Sequence, residues 1–142
     1  MKIAVIRPSM FGQPASDRMM PLLFAILKPL TPPEIPLRFY DERVRPLPAH
    51  IDADLVAITV ETFAAQRAYQ LADDLRAQGK TVVLGGFHPT ALPEEAAAHA
   101  HSVLCGDAED TWPAMLADLR AGRLQKRYQS AACGAITTRY DY

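Results

Sequence analysis

Two glycine-bearing turns hold the residues that could do chemistry. The first is Gly85-Gly86-Phe87-His88-Pro89, directly after the apolar run Thr81 to Leu84. The second is Gly106-Asp107-Ala108-Glu109, directly after Ser102 to Cys105. A glycine pair at the end of a buried strand opens backbone angles closed to other residues and removes both Cβ atoms. A ligand, or another piece of backbone, can then approach the main chain. Backbone N–H groups at Gly85, Gly86 and Gly106 add donors, and Ser9, Gln13, Thr59 and Thr62 add hydroxyls and an amide. The titratable groups are His88, Asp107 and Glu109. His88 fits a loop imidazole bonded to a backbone carbonyl as well as it fits a ligand contact. Asp107 fits best as a helix cap, and Glu109 as a partner of backbone in the adjacent loop.

Several chemistries are excluded. No Ser/His/Asp or Cys/His arrangement can be assembled, and neither Gly-x-x-x-x-Gly-Lys nor Gly-x-Gly-x-x-Gly after the first strand is present. Cys105 and Cys133 are too few and too far apart for a zinc site or a disulfide framework. No second histidine or cysteine stands near His88 at a metal-binding spacing. The residues describe a binding module without a catalytic apparatus of its own.

The elements that must position these turns follow from periodicity. Lys2 to Ile6, Pro36 to Asp41, Asp54 to Val60, residues 81–86 and Ser102 to Cys105 read as five strands, Pro36 to Asp41 lying at an edge where proline is tolerated. Helical spacing appears over Arg18 to Lys28, capped by Asp17, and over the stripe Ala68, Leu71, Ala72 and Leu75 closed by Gly79. It recurs in a short helix opened by Pro93-Glu94-Glu95, and in Trp112, Met115, Leu116 and Leu119 up to Gly122. Thr62 is placed to cap the second helix, and Asp107 with Asp110 has the spacing of an imperfect capping box. His99 and His101 are expected to be solvated. Leu124 to Tyr128 has weak strand character.

Strands alternating with helices give an α/β class, a three-layer Rossmann-like (flavodoxin-like) doubly wound domain with a five-stranded, mainly parallel sheet in the order 2-1-3-4-5. Ligands in that architecture sit outside the carboxyl ends of the strands, at the switch between strands 1 and 3. The loops on that edge are Pro8 to Ser16, Thr59 to Phe63, Gly85 to Pro89 and Gly106 to Glu109. Both glycine turns are among them.

With 142 residues, 49% of them apolar and 22% charged, the chain is long and apolar enough for one globular domain. A net charge of −1 argues against a nucleic-acid or anionic-membrane surface. No apolar run reaches the roughly 20 residues of a membrane span, and a cytoplasmic setting fits the two cysteines. Nine of the twelve prolines fall in the first 48 residues. Residues 1–128 are read as the domain and 129–142 as an exit linker, so the chain is expected to be part of a longer enzyme.

The ordered motifs resemble a known family. Asp54-Leu-Val-Ala-Ile-Thr, Gly79 to Glu95, and Val103-Leu-Cys-Gly-Asp-Ala-Glu-Asp-Thr look like the N-terminal cobalamin-binding domain of radical S-adenosylmethionine enzymes. That family includes magnesium-protoporphyrin ester cyclase-like proteins and cobalamin-dependent methyltransferases. Its pattern of Gly-Gly-x-His-x-Thr, Pro-Glu and Gly-Glu-Gly-Glu followed by threonine is met by Gly85, Gly86, His88, Thr90, Pro93, Glu94, Gly106, Glu109 and Thr111. Asp107 and Ala108 replace the middle Glu-Gly. The resemblance implies cobalamin over the carboxyl edge, with Ser9, Thr59, Val60, Thr62, Gly85, Gly86, His88, Pro89, Gly106, Asp107 and Glu109 as contacts. Gly85 and Gly86 would make room for its nucleotide tail.

The family's Asp-x-His-x-x-Gly relatives supply a histidine to cobalt, and that sequence is missing here. The implied cobalamin is therefore base-off, with no protein metal ligand and His88 off the cobalt. The Cys-x-x-x-Cys-x-x-Cys sequence is also missing, which assigns the iron–sulfur cluster, S-adenosylmethionine and the catalysis to a downstream partner domain. Two other readings stay open: a cofactor-free interaction domain that docks through Leu30 to Pro48, and, ranked last, a receiver-like domain, since Arg7-Pro8-Ser9 is not an acidic pair.

Overall fold

Side chains alternate along each central strand between two cores, as the period of two requires. Ile3, Val5, Leu55, Ala57 and Val83 face one core, and Ala4, Ile6, Val56, Ile58, Val82 and Leu84 face the other. A computed structural model describes residues 1–16 and 21–131. Its strands are β1 (Ile3–Arg7), β2 (Leu37–Asp41), β3 (Leu55–Thr59), β4 (Thr81–Gly85), β5 (Ser102–Cys105) and β6 (Arg127–Gln129). Its helices are α1 (Leu22–Leu30), α2 (Ala65–Ala77), α3 (Phe87–Ala91), α4 (Pro93–Ala97) and α5 (Ala108–Arg120), with a 3-10 turn over Thr62–Ala64. Asp17, the expected cap of the first helix, lies outside the described residues.

The sheet has six strands, not five, in the order 2-1-3-4-5-6, and every pairing is parallel. The expected order 2-1-3-4-5 is contained within it. The weak character of Leu124 to Tyr128 hid a sixth strand. Three residues with only Tyr128 buried carry too short an alternation to be read from sequence. That strand is held from outside itself. Tyr128 donates its hydroxyl to Asp118 on α5 at 3.0 Å, and Val103 N–H bonds the Lys126 carbonyl at 3.0 Å.

Helices cover both faces. Leu27 of α1 and Trp112, Met115 and Leu116 of α5 fill one core; Ala65, Ala68, Ala72 and Leu75 of α2, with Ala96 of α4, fill the other. The stripes expected of α2 and α5 are thus the buried ones. Trp112 is core, and its indole N–H donates to Thr31 Oγ1 at 3.0 Å, joining α5 to the end of α1. Among the described residues no helix is long and apolar enough to cross a membrane.

Candidate functional site

Parallel pairing brings every strand's carboxyl end to one edge. Arg7 stands beside Asp41 and Thr59 beside Gly85, while Cys105 is the partner of Gln129. The loops from β1, β3, β4 and β5 therefore meet where the switch-point argument puts a ligand.

The β3 and β4 loops are pinned to each other through backbone. Val60 N–H bonds the Gly85 carbonyl at 2.8 Å, and His88 N–H bonds the Val60 carbonyl at 3.1 Å. Gly86 sits at φ +107°, ψ −169°, a conformation closed to other residues. A Cβ there would lie 3.0 Å from both Val60 N and Val60 O and 3.1 Å from Thr59 Oγ1. The missing Cβ at Gly86 thus leaves space that neighbouring backbone already needs. A Cβ on Gly85 would meet Leu104 at an ordinary 3.5 Å. Val60 is fully buried, and its backbone N–H and C=O are both used in this clamp.

Thr90 joins the two glycine turns. Its hydroxyl donates to the Gly86 carbonyl at 2.7 Å and accepts the Gly106 N–H at 3.0 Å. The Gly106 donor expected to be open is therefore engaged. Gly106 itself lies at φ +84°. Pro89 is buried, and its carbonyl receives the Cys105 thiol at 3.7 Å.

Asp107 occupies the N-cap position of α5 without a side-chain capping bond; its carbonyl accepts the Thr111 hydroxyl at 2.8 Å. The expected capping box does not form, because Asp110 is used elsewhere. Asp110 accepts from Ala131 N–H at 2.9 Å and Ser130 Oγ at 3.0 Å, and the Ala131 bond holds its carboxyl below the usual range. Asp107 and Glu109 are both exposed on the edge.

His88 is not a loop imidazole on a backbone carbonyl. It lies on α3, only 7% exposed, with Nε2 2.9 Å from Glu95 Oε1 and Nδ1 3.3 Å from Thr62 Oγ1. Glu95 also accepts from Tyr69 Oη at 2.9 Å, and the His88 bond, followed by that of Tyr69, holds its carboxyl below the ordinary value. The Tyr69 ring stacks on His99, which reaches Asp73 at 2.9 Å. Thr62 opens the 3-10 turn without capping it and is exposed. His99 and His101 are not simply solvated, since each has a specific partner. His101 Nδ1 accepts Val82 N–H at 3.0 Å, and burial pushes that ring's pKa down.

The loop after β1 rests on charges that sequence reading missed. Glu42, 1% exposed, accepts Arg67 through both oxygens, at 2.6 and 3.2 Å, and also the Ser9 N–H at 3.1 Å. Arg7 lies between Asp41 at 3.5 Å and Glu61 at 3.4 Å. In sequence Asp41 ends the edge strand Pro36 to Asp41 and an extended connection follows from Arg43, so nothing there singles out Glu42. Only the pairing of β1 with β2 places it under the edge. Ser9 is 3% exposed, and its Oγ is buried with no hydrogen-bond partner among the described residues. Phe11, Phe63 and Phe87, one from each of three edge loops, are exposed.

Two clefts of about 250 Å³ lie elsewhere, one between α2 and the 47–51 segment, the other along Lys28 to Leu37. Among the described residues no three His, Cys, Asp or Glu side chains group as metal ligands.

Two known proteins with related sequences are methyltransferases. The chain is 43% identical over 110 residues to bacteriochlorophyllide d C-8(2)-methyltransferase of Chlorobaculum tepidum, covering 77% of this chain and 24% of that protein. It is 36% identical over 121 residues to bacteriochlorophyllide d C-12(1)-methyltransferase of the same organism, covering 84% of this chain and 26% of that protein. No family model and no solved structure matches it. The chain spans about a quarter of the length of the curated relatives it matches.

Proposed function

We propose that this chain is the cobalamin-binding part of a radical S-adenosylmethionine methyltransferase, holding base-off cobalamin over the carboxyl edge of its sheet. The carrying observation is that the family-like glycine turns stand side by side on that edge, tied by Thr90, in a chain similar to two methyltransferases. The residues present fit the group. The unpartnered buried Ser9 Oγ and the exposed Thr62 hydroxyl suit an uncharged ligand rich in amides. Arg7 and Arg67 are already paired with carboxylates, which does not favour a polyphosphate. Exposed Phe63 and Phe87 suit a broad, partly apolar macrocycle.

Ser9, Thr59, Thr62, Gly85, Gly86, Pro89, Gly106, Asp107 and Glu109 form the contact edge, Val60 contributes through the backbone clamp, and His88 supports Thr62 from below. Both ring nitrogens of His88 are engaged inside the protein, which supports a cobalt without a protein histidine. Bound cobalamin supplies the methyl-carrying cobalt, and the iron–sulfur cluster and S-adenosylmethionine belong to a domain beyond this chain. This chain's share of the work is to hold and orient the macrocycle.

Titrating the 142-residue chain with hydroxocobalamin and following the visible spectrum tests the reading. Saturable binding accompanied by a base-off spectrum is expected. Spectra that simply add, with no retention of cobalamin on gel filtration, would refute it and leave the cofactor-free interaction domain.

A further inference from the structure

The His88 arrangement has a direction. Two donors, the Tyr69 hydroxyl and His88 Nε2, converge on the single oxygen Glu95 Oε1 at 2.9 Å each. An ionised carboxylate only accepts, so His88 must present a proton at Nε2. In the singly protonated ring that leaves a lone pair at Nδ1. Thr62 Oγ1 lies 3.3 Å from it, and the one hydrogen available between them is that of the hydroxyl. Thr62 thus spends its only hydrogen inward, and both lone pairs of its oxygen stay free to accept, on an exposed residue of the carboxyl edge.

The ring cannot readily turn over to reverse this. It is buried, and Tyr69, which shares Glu95 with it, is itself stacked on His99 at a centroid distance of 4.2 Å and 9° between planes. His99 in turn is anchored on Asp73.

We infer that the His88–Glu95 pair fixes Thr62 as a hydrogen-bond acceptor that selects an N–H donor on the ligand, namely a primary amide of the kind carried around the cobalamin macrocycle. The ligand half of this inference rests on the cobalamin reading above. His88 acts here as a positioning residue, and Thr62 makes the contact. A ligand offering a carboxylate in place of that amide would set oxygen lone pairs against oxygen lone pairs and be rejected.

Two measurements decide it. In the full chain labelled with ¹⁵N-histidine at pH 8, two-bond proton–nitrogen correlations report the tautomer of each ring, and the His88→Gln variant identifies the His88 signals. His88 is expected as the Nε2–H tautomer, and Glu95→Gln, whose amide can donate or accept, is expected to release it into a mixture. In hydroxocobalamin titrations Thr62→Ser should stay within about twofold of wild type, while Thr62→Val should lose about tenfold. Wild type should also discriminate against a corrinoid whose peripheral amides are hydrolysed to carboxylates, and Thr62→Val should lose that discrimination. An Nδ1–H or doubly protonated His88 alongside intact cobalamin binding would overturn the relay alone. Equal binding by Thr62→Val and wild type would overturn the selection. No cobalamin binding by wild type would sink the cobalamin reading and the ligand half together, with the relay then judged by the tautomer.

Discussion

At the scale of single residues, the two adjacent glycines do different work. Gly86 combines φ +107° with backbone of Val60 at 3.0 Å from any added Cβ, whereas Gly85 faces Leu104 at 3.5 Å. Gly86→Ala should therefore lose about 2–4 kcal/mol of stability from left-handed strain plus displacement of the β3 loop. Gly85→Ala should stay within about 1 kcal/mol. Urea denaturation of the two variants checks this, and equal midpoints would show that the turn tolerates a side chain. A loss of ligand binding in a Gly86 variant must accordingly be judged against its folding. Adjacency in sequence made the pair look uniform. The contrast comes from what each Cα faces, the end of the β3 loop for Gly86 and strand β5 for Gly85.

Among the elements, the loop after β1 and the N-terminal turns of α2 are joined through Glu42. Its carboxylate is buried and depends on Arg67 and the Ser9 N–H for its hydrogen bonds. The bond to Glu42 also raises the Arg67 pKa, so the guanidinium stays charged. Arg67→Met keeps the length of the side chain but leaves a buried anion short of partners. Because the Arg67 side chain is 28% exposed, the cost should be about 2–3 kcal/mol, below that of a fully enclosed pair. Thermal unfolding measures it; a change under half a kcal/mol would mean that water replaces the guanidinium at no cost. Much of the element scale was open to sequence reading. The strands β1, β3, β4 and β5, the apolar stripes of α2 and α5, Pro93 at the start of α4, and Gly79 and Gly122 after their helices all follow local rules of period and capping. The side-chain caps expected at Thr62 and Asp107 did not form; the Thr62 hydroxyl lies against His88 Nδ1 instead, and Asp110 bonds Ser130 and Ala131.

Over the whole molecule, β6 is the outer strand that covers the edge of β5. Without it β5 would present an unpaired edge to solvent. A chain ending at Lys126 should lose about 3 kcal/mol, from the buried Tyr128 and its bonds to Asp118 and Gln125, and should self-associate. Gel filtration with light scattering and urea denaturation read both effects; a stable monomer would show that β6 is dispensable. Because β6 runs parallel to β5, Ser130 and Ala131 reach the same edge as the glycine turns, where Asp110 holds them.

The sequence by itself determined the α/β class, the parallel core of the sheet, the strand order through β5 and the set of loops that share the carboxyl edge. These depend on local periodicity and on chain order, both of which are linear properties. The tertiary structure alone decided that Gly86 makes room for Val60, that Thr90 bridges the two turns, that Glu42 is buried beneath Ser9, and that His88 turns inward to Glu95. Each of these joins residues distant in sequence. Their meeting is set by strand register and helix packing, which no local pattern encodes.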